Sequence, residues 1–310
     1  MNDPRGAVDM VGHTILLANT LDPDSLPPIS NIIVRAKSNE GRWVEESTLA
    51  IGEWRAHFSS VYIQWSLALN GVHVAAEKYT DPVWSSTKQF SVKALRVEGA
   101  RHALQEIAVW KGPCAAKNHL GTAPKLCAWG VVEMFACFEV FIFELYRIFL
   151  NHHPDSLIKG QEPEHKTLRR LQREAEADPS KRTAWNEAWA KRLSLWHKNK
   201  IYKGLHNTFL AYYSATGLHK PKSYTQTDVS DWAEMLEAVG ILRNCLVHGA
   251  KDVPMDLAEI SKKPHASTFD FKEGQSFSVE LKHLQGIELF ANQLLTAINL
   301  SLVEHPSAGK

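Results

Sequence analysis

Residues 228–249, DVSDWAEMLEAVGILRNCLVHG, contain the start signal, the apolar face and the stop signal of one amphipathic helix. We expect the helix to start at Asp228 or Ser230, because acidic residues in a first turn favour the positive end of the helix dipole. Gly249 suits a left-handed helix cap. One side of the helix carries Trp232, Leu236, Val239 and Arg243. Such a face has to be buried against other elements, which predicts a helical bundle around this segment.

The longest apolar run, residues 126–150, predicts a core helix of that bundle, beginning after Pro124 and reaching about Asn151. Its glutamates are Glu133, Glu139 and Glu144. Because they interrupt the run, no uncharged stretch approaches the roughly 20 residues of a membrane span. On a helical wheel Glu133 and Glu144 share one polar stripe, and Glu139 lies far from it.

The rest of the C-terminal half completes this prediction. Residues 268–271 and 277–279 predict a small β-hairpin, and a closing helix is expected from near Ser278. The apolar face of that helix comprises Leu281, Leu284, Ala291, Leu294, Ile298 and Leu302. Residues 116–310 are therefore predicted to form one helical domain, with an insert at about 155–225 that contains two or three helices.

The N-terminal third predicts a different, mixed module. Residues 1–28 are expected to be a flexible leader, and residues 29–115 a small α+β domain. Strands are predicted at 31–36, 42–45, 72–75 and 90–97, and a short helix at about 100–110. A further helix, with an apolar stripe from Trp54 to Leu69, is expected to stop at Gly71. The predicted fold class is thus mainly α, with a small α+β module before the bundle.

Composition narrows the classes of function. The chain has 44% hydrophobic and 22% charged residues, and its four cysteines form no CxxC pair. Because we also find no signal-peptide pattern, we expect a cytoplasmic protein that does not enter a membrane. The phosphate-binding, dinucleotide-binding, esterase and zinc-protease motifs are all missing from the sequence. We therefore expect no cofactor and no metal.

The net charge of +1 conceals a basic segment. Residues 159–222 contain 14 Lys and Arg against 6 Asp and Glu, a balance of +8. Aromatic residues alternate with these cations, an arrangement that can neutralise phosphates and stack bases of RNA. The expected RNA contacts are Arg169, Arg170, Arg173, Lys191, Arg192, Lys198, Lys200 and Lys203. A solvated helical face and an ordinary aromatic core are the alternatives.

The helix predicted at residues 228–249 ends in side chains that can take part in catalysis. Arg243 can hold a phosphate through two hydrogen bonds, and His248 can transfer a proton near neutral pH. The Arg-x4-His spacing occurs three times, also at Arg147/His152 and Arg192/His197, so the spacing alone means little. The third copy differs because Asn244 follows the arginine and a glycine ends an amphipathic helix directly after the histidine.

Arg243-Asn244-x-x-x-His248 resembles the signature of the HEPN superfamily, the higher eukaryotes and prokaryotes nucleotide-binding domains. The resemblance covers roughly residues 121–304 and implies a bundle fold and a metal-independent endoribonuclease, of the kind found in toxin and anti-phage systems. It implies His248 as general acid or base, Arg243 as the group that stabilises phosphate charge, and Asn244 as a hydrogen-bonding partner. Supporting roles fall to Glu133, Glu144 and Lys251.

The resemblance also implies a homodimer. Five residues turn a helix by about 140°, so Arg243 and His248 of one regular helix point apart, whereas two copies can surround one cleft. An antitoxin or regulatory protein is a further expected partner. One alternative to the homodimer is a pseudo-dimer within one chain that uses Arg147/His152 as the second copy. Two alternatives to the nuclease also stay open. One is a non-catalytic module that binds RNA or protein, and the other is a structural adaptor in which Arg, His and Gly only cap a helix.

Overall fold

The computed structural model describes residues 31–225 and 227–309. The leader predicted at residues 1–28 lies outside them. The described chain is mainly helical and has one antiparallel sheet of two strands. The coarse prediction of a mainly α protein is therefore confirmed.

Ten α-helices and two strands make up the regular structure of the described residues. The helices are α1 (Arg42–Thr80), α2 (Pro82–Thr87), α3 (Gly112–Leu120), α4 (Ala123–His152), α5 (Pro163–Ala177), α6 (Arg182–Ile201), α7 (Leu205–Thr216), α8 (Val229–His248), α9 (Met255–Ser261) and α10 (Leu281–Val303). The strands are β1 (Gln89–Glu98) and β2 (Arg101–Lys111). Short 3-10 turns lie at Asn39–Gly41, Pro154–Ser156, Pro179–Lys181, Pro264–Ala266 and Pro306–Gly309.

Several predictions for the N-terminal third are wrong. Residues 42–45 and 72–75 belong to α1, a helix of 39 residues that continues through Gly71, and residues 31–36 form no strand. A glycine inside a helix costs only about 1 kcal/mol relative to alanine, too little to end a helix that is well packed on both sides of it.

The segment at 100–110 is a strand and not the predicted helix. Gly99 adopts φ 62°, which allows a tight turn, so β2 pairs back on β1 from Glu98↔Arg101 to Gln89↔Lys111. One bulge interrupts the register between Val92 and Lys93. The strand predicted at 90–97 is confirmed within β1.

The hairpin predicted at 268–279 is also wrong. Residues 268–271 form no strand, and the segment after them pairs with the chain that follows α8. Asp252 and Ser276 form an isolated antiparallel bridge, and the Phe277 N–H donates to the Lys251 carbonyl over 2.8 Å. Backbone groups of residues 274–277 are thus hydrogen-bonded to residues 251–253, and not to the adjacent residues 268–271 as the predicted hairpin required.

The helices that matter for the site follow their sequence signals. The Asp228 carboxylate accepts the N–H groups of Ser230 and Asp231, and the Asp231 carboxylate accepts the Asp228 N–H, so a capping box starts α8. Gly249 ends the helix at φ 68°. The predicted helices near 125–151 and from about 278 correspond to α4 and α10, and the insert contains α5, α6 and α7.

The chain divides into two compact units. In the first, Ser60–Val131 with Ser278–Gln285, a small core of Ala76, Tyr79, Ala115 and Ala116 packs against the base of the hairpin. The second unit comprises the remaining described residues. Its largest fully buried side chains include Trp43, Phe138, Phe141, Leu145, Phe209, Tyr212 and Phe269.

Two stretches, Gly112–His152 and Leu281–Val303, are long and apolar enough to cross a membrane by length and composition. An apolar window of 18 residues in each stretch is about half buried in the first and 61% buried in the second, and core helices of soluble proteins have the same composition. The cytoplasmic location stays a prediction.

Candidate active site

Arg243 and Asn244 lie in the last turns of α8. The Arg243 Nη1 donates a hydrogen bond to the Asn244 Oδ1 over 2.9 Å, and the guanidinium carbon lies 6.0 Å from the centre of the Phe135 ring on α4. A cation over an aromatic face is held in place without losing its charge. Asn244 and Phe135 therefore fix Arg243 while most guanidinium donors stay available for an anionic ligand.

Both residues line a cleft of about 300 Å³ in the second unit. The polar side chains that share it are Glu139 of α4, His206 of α7 and Glu237 of α8. The His206 Nε2 lies 3.9 Å from the Glu237 Oε1. Gly204 adopts φ 82°, and a Cβ at this position would lie 3.0 Å from the His206 Cε1, so the turn before α7 and the placement of His206 both favour glycine.

His248 is exposed and does not belong to the described residues that line this cleft. The α8 helix is regular through His248, so the two side chains leave it about 140° and about 7.5 Å apart. Within one chain the imidazole that shares the Arg243 cleft is that of His206. The sequence missed His206, because it lies on another helix and has no motif around it.

The three supporting residues occupy separate positions. Glu144 accepts a hydrogen bond from the Trp54 Nε1 over 2.6 Å, which links α4 to α1. Glu133 and Lys251 are exposed, and neither lines the Arg243 cleft. The carboxylate of α4 that does line it is Glu139, the one that the helical wheel placed outside the polar stripe.

A second cavity of about 600 Å³ adjoins the first, because Glu139 and Ile201 line both. Arg147 and His197 face this cavity, each from one of the Arg-x4-His pairs that have the motif's spacing. Burial and the nearby Arg147 charge lower the pKa of His197, while Glu139 raises it. The net direction is downward, which favours a neutral imidazole at neutral pH.

The arginines of the basic insert mostly bind their own segment. Arg169 donates to the carbonyls of Ile158 and Gly160, and Arg192 donates to the Leu157 carbonyl over 2.9 Å. These bonds tie α5 and α6 to the loop that precedes them. The guanidinium groups therefore have a structural role whether or not they also contact RNA.

The remaining predicted RNA contacts are more varied. Arg170 pairs with Glu174 over 2.9 Å, and the Arg173 Nε donates to the Arg169 carbonyl over 3.3 Å. The Lys200 Nζ lies 5.9 Å from the Tyr146 ring centre, and burial lowers the pKa of Lys200. The lysines whose side chains are exposed are Lys191, Lys198 and Lys203.

Of the aromatic residues in the insert, Trp189 and Trp196 are buried, as a packing role requires, whereas Tyr202 is 89% exposed. Tyr202 is thus the ring that is open to a stacking ligand.

One group of described residues has the spacing of metal ligands: Asp231, Glu234 and His265. The His265 Nδ1 lies 3.3 Å from Asp231 and its Nε2 lies 3.0 Å from Glu234, whose other oxygen binds Lys263 over 2.5 Å. A histidine with a carboxylate at each nitrogen and a lysine beside it suits an ion-paired cluster better than a cation site.

A scan against protein-family models, a search of curated proteins and a search of solved structures each gave no match for this chain. The interpretation of the site therefore rests on its own residues and geometry.

Proposed function

We propose that this chain is a metal-independent endoribonuclease of the HEPN type, acting as a homodimer in anti-phage defence or in a toxin system. The proposal rests on the arrangement of side chains at the end of α8. There Arg243, held by Asn244 and Phe135, lines a cleft, and an exposed His248 closes the same helix.

The chemistry needs only these groups, water and the RNA. The ribose 2′-oxygen attacks the adjacent phosphorus and gives its proton to a base, while the bond from phosphorus to the 5′-oxygen breaks and that oxygen receives a proton from an acid. The products are a 2′,3′-cyclic phosphate and a 5′-hydroxyl. His248 makes one of the two proton transfers near neutral pH, as general acid or base, and solvent water makes the other, while Arg243 stabilises the charge on the phosphate.

The geometry of one chain favours two copies. Because α8 separates Arg243 from His248 by about 140°, one regular helix cannot direct both side chains at one phosphate. A two-fold axis near the end of α8 would bring the Arg243 of one protomer beside the His248 of its partner. The exposure of His248 and of the neighbouring Val247 is what such an interface requires.

The alternative is a non-catalytic module that binds RNA or protein. It is favoured by the carboxylates of Glu139 and Glu237, which accompany Arg243 in the cleft of one chain and would keep a scissile phosphate out of it. RNA would then bind at the basic insert, where Lys191, Lys198 and Lys203 are exposed. This alternative predicts binding that weakens with salt and yields no RNA product.

The deciding experiment incubates RNA with the protein in EDTA and compares the wild type with Arg243→Ala, His248→Ala and His206→Ala. Arg182→Ala and His102→Ala are matched controls, since both residues are exposed and lie outside the site. We expect losses on the order of 100-fold for Arg243→Ala and His248→Ala, and wild-type rates for both controls. A large loss in His206→Ala together with full activity in His248→Ala would show that the imidazole was assigned to the wrong residue.

A further inference from the structure

A cavity of about 720 Å³ lies in the first unit, well away in sequence from the α8 motif. It lies between the base of the β1–β2 hairpin, helix α3 and the first turn of α4. Its volume falls within the roughly 300–1,000 Å³ of small-molecule sites. None of the residues proposed above for RNA cleavage contributes to it.

One wall of this cavity is a rigid aromatic platform. Phe90 and Trp110 are cross-strand partners, with ring planes 3° apart and ring centres 5.8 Å apart. His119 meets the Phe90 ring edge-on at 4.9 Å and stacks on the buried Tyr79 at 5.3 Å. Because this packing holds the rings before any ligand arrives, a flat ligand can stack on them with little loss of side-chain entropy.

Two cations also line the cavity. Lys117 of α3 and Lys125 of α4 line the cavity and are exposed, and no carboxylate is among the described residues around it. The Nε2 of His119 is buried and has no hydrogen-bond partner in the described part of the chain. A buried nitrogen without a partner is costly, so a ligand that hydrogen-bonds to it gains affinity.

We infer that this cavity binds a nucleotide, with its base on the Phe90–Trp110 platform and its phosphate between Lys117 and Lys125. An aromatic wall beside two lysines that form no ion pair with other described residues matches a ligand that is flat at one end and anionic at the other. A free mononucleotide and one nucleotide of a single-stranded RNA present the same chemistry. The inference does not rest on the proposed nuclease activity.

The test is titration calorimetry of the full chain with four probes: AMP, adenosine, inorganic phosphate and 2′-O-methyl pentaadenylate, which lacks the hydroxyl needed for self-cleavage. We expect saturable binding of AMP or of the oligonucleotide, with adenosine and phosphate each weaker by at least about ten-fold, because each supplies only half of the contacts. Equal affinity for AMP and the oligonucleotide identifies a free nucleotide, and a preference of about ten-fold for the oligonucleotide identifies a strand.

Two variants and two matched controls locate the binding. Trp110→Leu and the double variant Lys117→Glu/Lys125→Glu are each expected to weaken binding by about ten-fold, whereas Trp129→Leu and Lys78→Glu, outside the cavity, change it by less than about two-fold. The lysine variant alters exposed side chains only, so it stays informative if Trp110→Leu is unstable. His248→Ala should bind normally even if it has lost all cleavage.

Failure of both AMP and the oligonucleotide to bind at millimolar concentration would overturn the inference. Wild-type affinity in the lysine variant would overturn it as well.

Discussion

The arrangement of α8 predicts that an Arg243→Ala chain and a His248→Ala chain restore activity to each other when mixed. In the proposed homodimer each of two sites takes Arg243 from one protomer and His248 from its partner. A dimer of the two variants then has one site with both residues intact and one site with neither. Random exchange makes half of the dimers mixed, so the mixture should show about a quarter of the wild-type activity.

The need for two chains follows from the geometry of α8. The two side chains leave α8 about 7.5 Å apart along its axis and about 140° apart around it, and only Arg243 lines the cleft. A site formed within one chain would place both substitutions in separate, inactive sites. Mixing would then recover nothing.

The assay follows cleavage of a fluorescent RNA in EDTA after the two variants are unfolded, mixed in equal amounts and refolded together. Each variant refolded alone is the control for contamination and for residual activity. If the mixture is no more active than the mean of the two variants alone, the shared site is refuted. The candidate site would then be the Arg243–His206 pair within one chain.

Three further predictions concern stability and binding. Gly249→Ala should lower the free energy of unfolding by about 1 kcal/mol in a urea titration, because φ at this position is 68°. Gly71→Ala should raise it by about the same amount, because an added Cβ inside α1 would meet no described atom within 4 Å outside the nearby helix backbone. Asp228→Ala should cost about 1 kcal/mol at neutral pH. Hydrogen bonds from the Ser230 side chain and the Asp231 and Ser230 backbone lower the pKa of Asp228, so this difference should be complete above the ordinary Asp pKa and vanish as pH falls through the lowered folded-state pKa. Arg192→Ala should lower the melting temperature because the Leu157 carbonyl loses its donor, while Lys198→Ala should leave the melting temperature unchanged and reduce the salt dependence of RNA binding.

The parts of the fold that the sequence predicted are those with local signals. The start of α8 at Asp228 and its end at Gly249 are set by side chains within a few residues, so the pattern alone located them.

The errors arose where distant partners decide the structure. Residues 100–110 contain a helix-compatible mixture of residues, and only their pairing with β1 makes them a strand. The segment at 272–277 pairs with residues 251–253 and not with its neighbour, which no local pattern indicates.

The candidate site shows the same division. The motif residues Arg243 and Asn244 were found from their spacing and surroundings, but His206 and Glu139 reach the cleft from α7 and α4 and carry no signal of their own. The Phe90–Trp110 platform could not be predicted either, because it exists only when β2 is a strand in register with β1.

The most direct measurement of the central claim compares two oligonucleotides of one sequence in EDTA, one RNA and one with every 2′-hydroxyl methylated. If the chain cuts by attack of the 2′-oxygen, the RNA should yield a 2′,3′-cyclic phosphate and a 5′-hydroxyl, and the methylated strand should stay intact. Cleavage of both strands, or an uncut RNA at enzyme excess, would contradict the account.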